Sequence, residues 1–148
     1  MELSQFTDYS LRVLIYVGVR GEQVSVREIA ESYAISQHHL VKVVHQLAKL
    51  GFLKTLRGRN GGITLGRDPG DIRVGDVVRG VEGFGLVECF PERGGDCLID
   101  GTCLLKGALA KARKAFLAEL DKLTIADLIV PRGRLQAAFG WVKLEAGR

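Results

Sequence analysis

The pattern of apolar and polar residues divides the first fifty positions of the chain into three predicted helices. The first helix is predicted to begin at Thr7 as its N-cap and to stop at Gly21. Apolar residues one helical turn apart predict its buried stripe, which comprises Leu11, Leu14, Ile15 and Gly18. Ser25 and Glu28, three residues apart, match a capping box and predict the start of a short second helix.

The second and third helices are predicted to form a helix-turn-helix. Ser36 is the predicted N-cap of the third helix, which runs to about Leu50 and has Gly51 just beyond its end. The two helices would be joined by a tight turn at residues 34–35. A pair of short helices connected in this way is the layout of the motif.

A β-hairpin is predicted directly after the third helix. Residues 52–56 and 63–65 are β-prone, and they flank a basic, glycine-rich turn at residues 57–62. A hairpin that follows a helix-turn-helix is a wing. Because capping, periodicity and turn chemistry agree, the sequence predicts a winged helix-turn-helix.

The rest of the chain is predicted to contain a short helix, a loop, a long helix and a tail. The short helix starts at Asp71 or Arg73, ends at Gly83 and completes the winged-helix domain. The predicted fold class is therefore mainly α, of the α+β type, with a winged helix-turn-helix DNA-binding domain and a long dimerisation helix. The predicted units are the winged-helix domain at 1–83, a cysteine loop at 84–103, the dimerisation helix with a short following helix at 104–130, and a flexible tail at 131–148.

The long helix, predicted from Leu104 to about Leu123, has an apolar face without an evident cover. Its apolar stripe comprises Leu105, Leu109, Ala112, Phe116, Leu120 and Leu123. An amphipathic helix needs a partner for such a stripe, and a two-fold related copy of the same chain provides one. We therefore expect a homodimer. The alternative is that the helix packs back on its own winged helix.

The distribution of charge favours a polyanionic partner. Of the 148 residues 47% are hydrophobic and 26% are charged, a balance typical of a globular protein. The net charge is only +4, but six basic residues lie between Lys42 and Arg67, with Asp68 the one acid beside them. Such a cluster suits DNA, and a solvated basic face is the alternative. No basic leader with an apolar run and no membrane-length apolar stretch is evident, which predicts a cytoplasmic protein without membrane contact.

The residues predicted to bind DNA lie at the start of the third helix and on the wing. The N-terminal end of the second helix of a helix-turn-helix enters the major groove, where glutamine pairs with adenine. Base contacts are predicted for Ser36, Gln37, His38 and His39, and phosphate contacts for Lys42, Lys49 and Lys54. On the wing the predicted contacts are Arg57, Arg59 and Asn60. Arginine favours narrow A·T minor grooves, so the expected operator is A·T-rich. Metal binding is the alternative role of the two histidines.

All three cysteines lie in the predicted loop, where Cys89, Cys97 and Cys103 are separated by seven and then five residues. Three thiols cannot pair completely as disulfides, and in a cytosolic protein they favour a metal or redox role. Zinc sites usually contain closer cysteine pairs, whereas wide spacing suits an iron–sulfur cluster. Three thiolates would leave one iron of a four-iron cluster for an oxygen or nitrogen donor. A structural zinc remains the alternative.

Several features together resemble the family of IscR and NsrR, dimeric bacterial transcription regulators. They are the winged helix, the three-cysteine loop before a long helix, and the wing sequence Arg57-Gly-Arg-Asn-Gly-Gly-Ile63. The resemblance extends over roughly residues 1–130. Within the family, Phe6-Thr-Asp-Tyr-Ser-Leu-Arg12 followed by Leu14-Ile-Tyr16 is more similar to the nitric-oxide-responsive NsrR type than to the IscR type.

The resemblance implies a cofactor, a signal and a mode of action. It implies a 4Fe–4S cluster, with 2Fe–2S the alternative, held by Cys89, Cys97 and Cys103. Asp8 matches the place of the fourth ligand in NsrR-like members and would come from the other subunit; pairing with Arg12 is its alternative role. A dimer on a palindromic operator would repress genes of nitric oxide detoxification until the gas destroys the cluster. The rival of the same family is an IscR-like sensor of cluster supply or redox state. No enzymatic motif is evident, so catalysis is not expected.

Overall fold

The computed structural model describes residues 1–143 and shows a mainly helical α+β protein with a two-stranded sheet. Its helices and strands in chain order are α1 (Gln5–Arg20), α2 (Val26–Tyr33), α3 (Gln37–Lys49), β1 (Leu53–Leu56), β2 (Gly62–Leu65), α4 (Val74–Val81), α5 (Leu104–Leu120), α6 (Ile125–Leu128) and α7 (Arg132–Ala138). The predicted fold, a winged helix-turn-helix followed by a long helix, is confirmed. Within the described part of the chain no helix is long and apolar enough to cross a membrane.

Helix α1 forms the centre of the fold and starts earlier than predicted. Its N-cap is Ser4, whose Oγ accepts a hydrogen bond from the backbone N–H of Thr7 at 3.2 Å. The prediction of Thr7 as the N-cap is therefore wrong: Thr7 is fully buried inside the first turn. Of the predicted stripe, Leu14 and Gly18 are buried, whereas the other two residues are half-buried. A stripe describes α1 poorly because α3, α4, α6, α7 and β2 all pack against it.

Helices α2 and α3 form the predicted helix-turn-helix. The Oγ of Ser25 accepts a hydrogen bond from the backbone N–H of Glu28 at 3.1 Å and caps α2, as predicted. The carboxylate of Glu28 accepts instead from the hydroxyl of Tyr16 at 3.0 Å, so the second half of the predicted capping box is not formed. The chain turns at Ala34, whose φ is 52°, and Ser36 is the residue before α3. Gly51, with φ of 81°, follows the end of α3 in the left-handed conformation expected there. The buried side of α3 consists of Leu40, Val43, Val44 and Leu47.

The wing is anchored in the core of the domain. Strands β1 and β2 are antiparallel, with Leu53 opposite Leu65, and confirm the predicted hairpin. The segment before α2 adds a short third pairing, because Val24 and Ile63 exchange two backbone hydrogen bonds of 3.0 and 2.7 Å. Both of these side chains are buried. The wing is therefore held by the segment that connects α1 and α2 as well as by the pairing of its own strands.

Helix α4 connects the winged helix to α5. The guanidinium of Arg79 on α4 donates two hydrogen bonds to the carboxylate of Asp121, just after α5, at 2.6 and 2.7 Å. A Cβ on Gly75 would lie 1.9 Å from Oδ1 of Asp121, so only glycine permits this approach. No residue of α5 is buried by the described part of the chain.

The prediction of a flexible tail from Pro131 is contradicted over the described residues 131–143. Residues Arg132–Ala138 form α7, and Phe139 and Trp141 pack beyond it against Tyr16 of α1, with ring centroids 4.9 Å from the tyrosine ring in both cases. The guanidinium of Arg132 also donates to the carbonyl of Gly18 at 3.0 Å. Aromatic burial against α1 therefore holds this segment in place. The last part of the predicted tail, residues 144–148, lies outside the described residues.

Candidate metal centre and nucleic-acid interface

The three cysteines line one cavity of about 310 Å³ between the loop and the start of α5. All three are free thiols; Cys89 and Cys103 are half-buried, and Cys97 is exposed. Cys103 is also the N-cap residue of α5. As they stand, no three His, Cys, Asp or Glu side chains within residues 1–143 are close enough together to hold a metal ion. The donor set suits iron or zinc, but the thiols would have to move closer together.

Lys106 on α5 and its hydrogen-bond partner Asp100, just before the helix, form a charged pair beside the cavity. Lys106 on α5 lines the cavity together with the cysteines. Its hydrogen bond to Asp100, and then the nearby thiols Cys89 and Cys103, raise the pKa of Lys106 above its usual value. The ammonium group of Lys106 therefore places a positive charge beside the cysteines.

Arg113 ties the cysteine loop to α5. Its guanidinium donates to the carbonyl of Phe84 at 3.1 Å and to Oε1 of Glu92 at 2.6 Å, and it lies 4.9 Å from the ring centroid of Phe90. Phe90 is only 2% exposed and is the buried anchor of the loop. Arg113 and Phe90 were not predicted as parts of the site. A lone aromatic residue between two cysteines is the signal that points to such an anchor.

The structure does not bring Asp8 to the cysteines of the same chain. Asp8 lies in a separate hollow at the start of α1, lined also by Tyr9 and Tyr33. Its Oδ2 lies 2.8 Å from Nη2 of Arg12, so the alternative role of Asp8, an ion pair with the residue four positions on, is present. Both side chains are nearly half-exposed, 46% and 44% respectively. An ion pair exposed to this extent contributes little to stability, which leaves Asp8 available for another partner.

The predicted reading surface of α3 is open to solvent. All of its predicted contact residues are exposed: Ser36, Gln37, His38, His39 and Lys42, and Lys49 about two turns further along. The ring centroids of His38 and His39 lie 6.3 Å apart with their planes inclined by 48°. Because two adjacent positions on a helix point in different directions, the two rings do not form a chelating pair. A row of exposed donors and acceptors at a helix N-terminus suits base edges.

The wing presents uncompensated positive charge. Lys54, Arg57, Arg59 and Asn60 are all exposed, and Gly58 gives the turn its positive φ of 106°. Among the described residues, none of these three cations takes part in an ion pair with a carboxylate. Their charge is therefore free for phosphates, and the assignment of individual contacts stays a prediction.

A winged helix-turn-helix with an exposed reading helix, a basic wing and a cysteine loop defines the class of the protein, a DNA-binding transcription regulator. Residues 3–131 match the Rrf2 family, which is described as iron-dependent transcriptional regulators. The chain belongs to the Rrf2 family.

Named relatives narrow the position of the chain within this family. The HTH-type transcriptional regulator NsrR of Bacillus subtilis (strain 168) is 49% identical over 132 residues, which make up 87% of this chain and 90% of the relative. NsrR of Geobacillus kaustophilus (strain HTA426) is 44% identical and covers 93% of this chain and 95% of its own. The solved structure of T. potens IscR matches with a TM-score of 0.71 at 27% identity, over 99% of this chain and 94% of that one. The chain is thus an NsrR-like Rrf2 regulator and not an enzyme.

Proposed function

We propose that the chain is an iron–sulfur-dependent transcriptional repressor that responds to nitric oxide. The observation that carries the proposal is the convergence of all three free thiols on one cavity at the start of α5. Similarity to regulators named NsrR and to a family described as iron-dependent favours iron over zinc. The genes controlled would be those that remove nitric oxide.

Cys89, Cys97 and Cys103 would hold an iron–sulfur cluster, 4Fe–4S or alternatively 2Fe–2S. When bound, the cluster supplies iron that reacts with nitric oxide. Iron–sulfur clusters use thiolate ligands, and the positive charge of Lys106 and the N-terminus of α5 both lie beside these cysteines. Arg113 would hold the loop that presents Cys89.

Asp8 of the other subunit would complete the site. Within one chain Asp8 and the cysteines line separate hollows, so completion from a second copy fits better than completion within the chain. Helix α1, which carries Asp8, packs directly against α3 and β2. Ligation by Asp8 would therefore link the DNA-reading head of one subunit, meaning its helix-turn-helix and wing, to the cysteine loop of the other subunit. Without that partner Asp8 pairs with Arg12, and the two heads lose a fixed spacing.

DNA would be read by two copies of α3 and two wings on a palindromic, A·T-rich operator. Gln37, His38 and His39 would meet base edges in the major groove, together with Ser36. Phosphates would be contacted by Lys42, Lys49, Lys54 and Arg57. Arg59 and Asn60 would enter the minor groove. The duplex fixes the half-site separation, so even a small change in head spacing would weaken binding.

Nitric oxide titration of operator binding tests the sensing role. The anaerobically purified protein should be brown and should leave a labelled operator, followed by fluorescence anisotropy, at a few equivalents of nitric oxide per cluster. Unchanged binding at large excess would reject nitric oxide sensing. A colourless protein with stoichiometric zinc in native mass spectra would reject the iron–sulfur site altogether.

Substitution of Asp8 tests its role in the site. Asp8→Ala should lower cluster retention and the response to nitric oxide, whereas Glu31→Ala should change neither. Glu31 is a matched control because it forms a similar exposed pair with Arg27 at 2.8 Å on α2. Equal behaviour of the two variants would show that Asp8 is not a ligand.

Mixed dimers distinguish ligation between subunits from ligation within one chain. A dimer of one Asp8→Ala subunit and one Cys89→Ala subunit retains one complete site if Asp8 acts across the interface, and none if it acts within its own chain. About half the wild-type cluster content is then expected for differently tagged, co-purified subunits. Cluster content as low as in the Cys89→Ala homodimer would contradict action across the interface.

A sensor of cluster supply or redox state is the second candidate. The match to T. potens IscR over nearly the whole chain favours it. This candidate predicts operator binding that follows cluster loading but tolerates nitric oxide at low dose. The nitric oxide titration of operator binding distinguishes the two candidate functions.

A further inference from the structure

A glutamine outside both the helix-turn-helix and the wing contacts the tip of the wing. Gln23 lies between α1 and α2, and its side-chain Nε2 donates a hydrogen bond to the backbone carbonyl of Asn60. Asn60 and its neighbour Arg59 are the residues that would enter the minor groove. The contact therefore joins the segment between α1 and α2 to the part of the wing that is proposed to meet DNA.

The surroundings are built to let Gln23 reach the wing. Gln23 is followed by Val24, which exchanges both backbone hydrogen bonds with Ile63 and so fixes the segment along β2. A Cβ on Gly62 would lie 2.7 Å from Cγ of Gln23 and 2.7 Å from the carbonyl oxygen of Val24. The glycine leaves room for the glutamine side chain to cross the strand and reach the turn. The contact is thus supported by backbone pairing and by packing as well as by one hydrogen bond.

Within the turn of the wing the backbone N–H of Gly61 donates to the carbonyl of Gly58 at 2.9 Å, whereas the carbonyl of Asn60 is held from outside the hairpin by Gln23. Strand pairing ends with Leu56 opposite Gly62, and residues 57–60 beyond it are exposed, while Gly61 is half-buried. Gly58 adds a residue with wide conformational freedom. A turn that becomes ordered only on DNA loses conformational entropy when it binds. The hydrogen bond from Gln23, here called the tether, orders the turn before binding and so lowers that entropic cost.

We propose that Gln23 is a positioning residue for minor-groove reading, which holds the carbonyl of Asn60 so that Arg59 and Asn60 are presented to the groove. The inference rests on the proposed contact between the wing and the minor groove. It adds a residue that does not itself contact DNA but determines how strongly the wing discriminates between sequences. Removal of the tether should cost selectivity at the base pairs under the wing and leave reading by α3 unchanged.

Inosine provides a test that separates the two grooves. An I·C pair looks like A·T in the minor groove and like G·C in the major groove, because only guanine carries the 2-amino group. The full-length, anaerobically purified protein is titrated with operators in which each A·T pair flanking a half-site is replaced by I·C or by G·C. The ratio of the two dissociation constants at a given pair measures minor-groove discrimination alone.

Wild-type protein should bind the G·C operators more weakly than the I·C operators at the pairs under the wing. Gln23→Ala should reduce that ratio by about fivefold, the factor that a typical net hydrogen bond is worth. Gln23→Glu should reduce it as well, because a carboxylate of the same size cannot donate to the carbonyl. Discrimination between A·T and I·C at pairs under α3 should stay as in the wild type. A uniform loss of affinity for all duplexes would instead mean that Gln23 only stabilises the fold, and would overturn the inference.

Arg59→Ala separates failure of this inference from failure of the wing contact. If Arg59→Ala lowers the ratio and Gln23→Ala does not, the positioning role of Gln23 is wrong and the wing contact stands. If Arg59→Ala also leaves the ratio unchanged, the minor-groove contact is wrong and the role of Gln23 is overturned with it. Thermal unfolding of each variant checks that the fold is intact.

Discussion

Replacement of Arg113 is expected to loosen the cysteine loop, because this one guanidinium makes three contacts with it. It hydrogen-bonds the carbonyl of Phe84 and the carboxylate of Glu92, and it packs on the ring of Phe90. The side chain is 26% exposed, so water replaces these contacts only in part. Arg113→Met keeps most of the side-chain volume and removes the charge and all donors.

The size of the effect follows from the three contacts. A hydrogen bond from a charged donor contributes about 1.5–3 kcal/mol, and a cation–π contact about 0.5–1 kcal/mol. The pair with Glu92, which is 41% exposed, adds little after screening by solvent. Because one guanidinium makes all three contacts, the values do not add, and about 2 kcal/mol is a reasonable total. Local opening of the loop should then be about thirtyfold more frequent.

Thiol alkylation measures that opening in the protein without a metal. Cys89 and Cys103 are half-buried, so opening of the loop should speed their reaction, whereas Cys97 is exposed and reacts in any case. In Arg113→Met the iodoacetamide rates of Cys89 and Cys103, followed by peptide mass spectrometry, should rise by up to about thirtyfold. The rate of Cys97 should change little.

The matched control is Lys114→Met, which removes an exposed cation from the next position on α5. It should leave all three alkylation rates at the wild-type value. If Cys89 reacts equally fast in the wild type, Lys114→Met and Arg113→Met, the loop is not held by Arg113 and the reasoning from these contacts is refuted.

Two further substitutions test the packing of the chain termini. Trp141→Ala should lower the free energy of unfolding in urea by about 2 kcal/mol, because it removes an aromatic contact with Tyr16. The control Val142→Ala, at an exposed position, should change it by less than about 0.5 kcal/mol. Equal effects of the two substitutions would refute a stabilising role of the Trp141–Tyr16 contact. Burial raises the pKa of Glu82, but hydrogen bonds from Thr7, Ser4 and Gly83 outweigh it and hold the pKa below its usual value. The carboxylate therefore stabilises the fold above its unfolded pKa, and the advantage of the wild type over Glu82→Gln, about 1 kcal/mol at pH 7, should disappear as the pH falls through the lowered folded pKa; a pH-independent difference would contradict this.

Local signals explain why the helix-turn-helix and the wing were predicted from sequence. The capping by Ser25 and the glycine at position 51 act within a few residues of where they occur, and so does the glycine-rich turn of the hairpin. Helix α1 was harder because it is covered on most sides, so an apolar stripe is not its true pattern. Ser4 and Thr7 are both good caps by type, and only tertiary burial decides between them.

The contacts that were not predicted from the sequence join residues far apart in the chain. The ring of Tyr16 meets that of Trp141, 125 positions further on, and no local pattern reports such a contact. The role of Arg113 depends likewise on the loop folding back on α5. Of the candidate site, the grouping of the three cysteines followed from their closeness in sequence, whereas Asp8 was assigned by family resemblance and stays a prediction. The pair that it forms with Arg12 was predictable from their spacing alone.

In the single chain the apolar face of α5 lacks a cover and the cysteine site lacks a fourth ligand, and a second copy of the chain could supply both. Helix α5 has no buried residue, and Leu104 and Leu105 at its start are 90% and 63% exposed. An apolar hollow of about 380 Å³ beside it is lined by Leu3, Leu86, Leu109, Ala112 and Phe116. Apolar surface of this kind is covered in most soluble proteins, and a second α5 is a cover of the right length and character. The same second copy is the source from which Asp8 could reach the cysteines. A monomer would lack both the cover of α5 and the proposed fourth ligand, so cluster assembly and dimerisation should depend on each other.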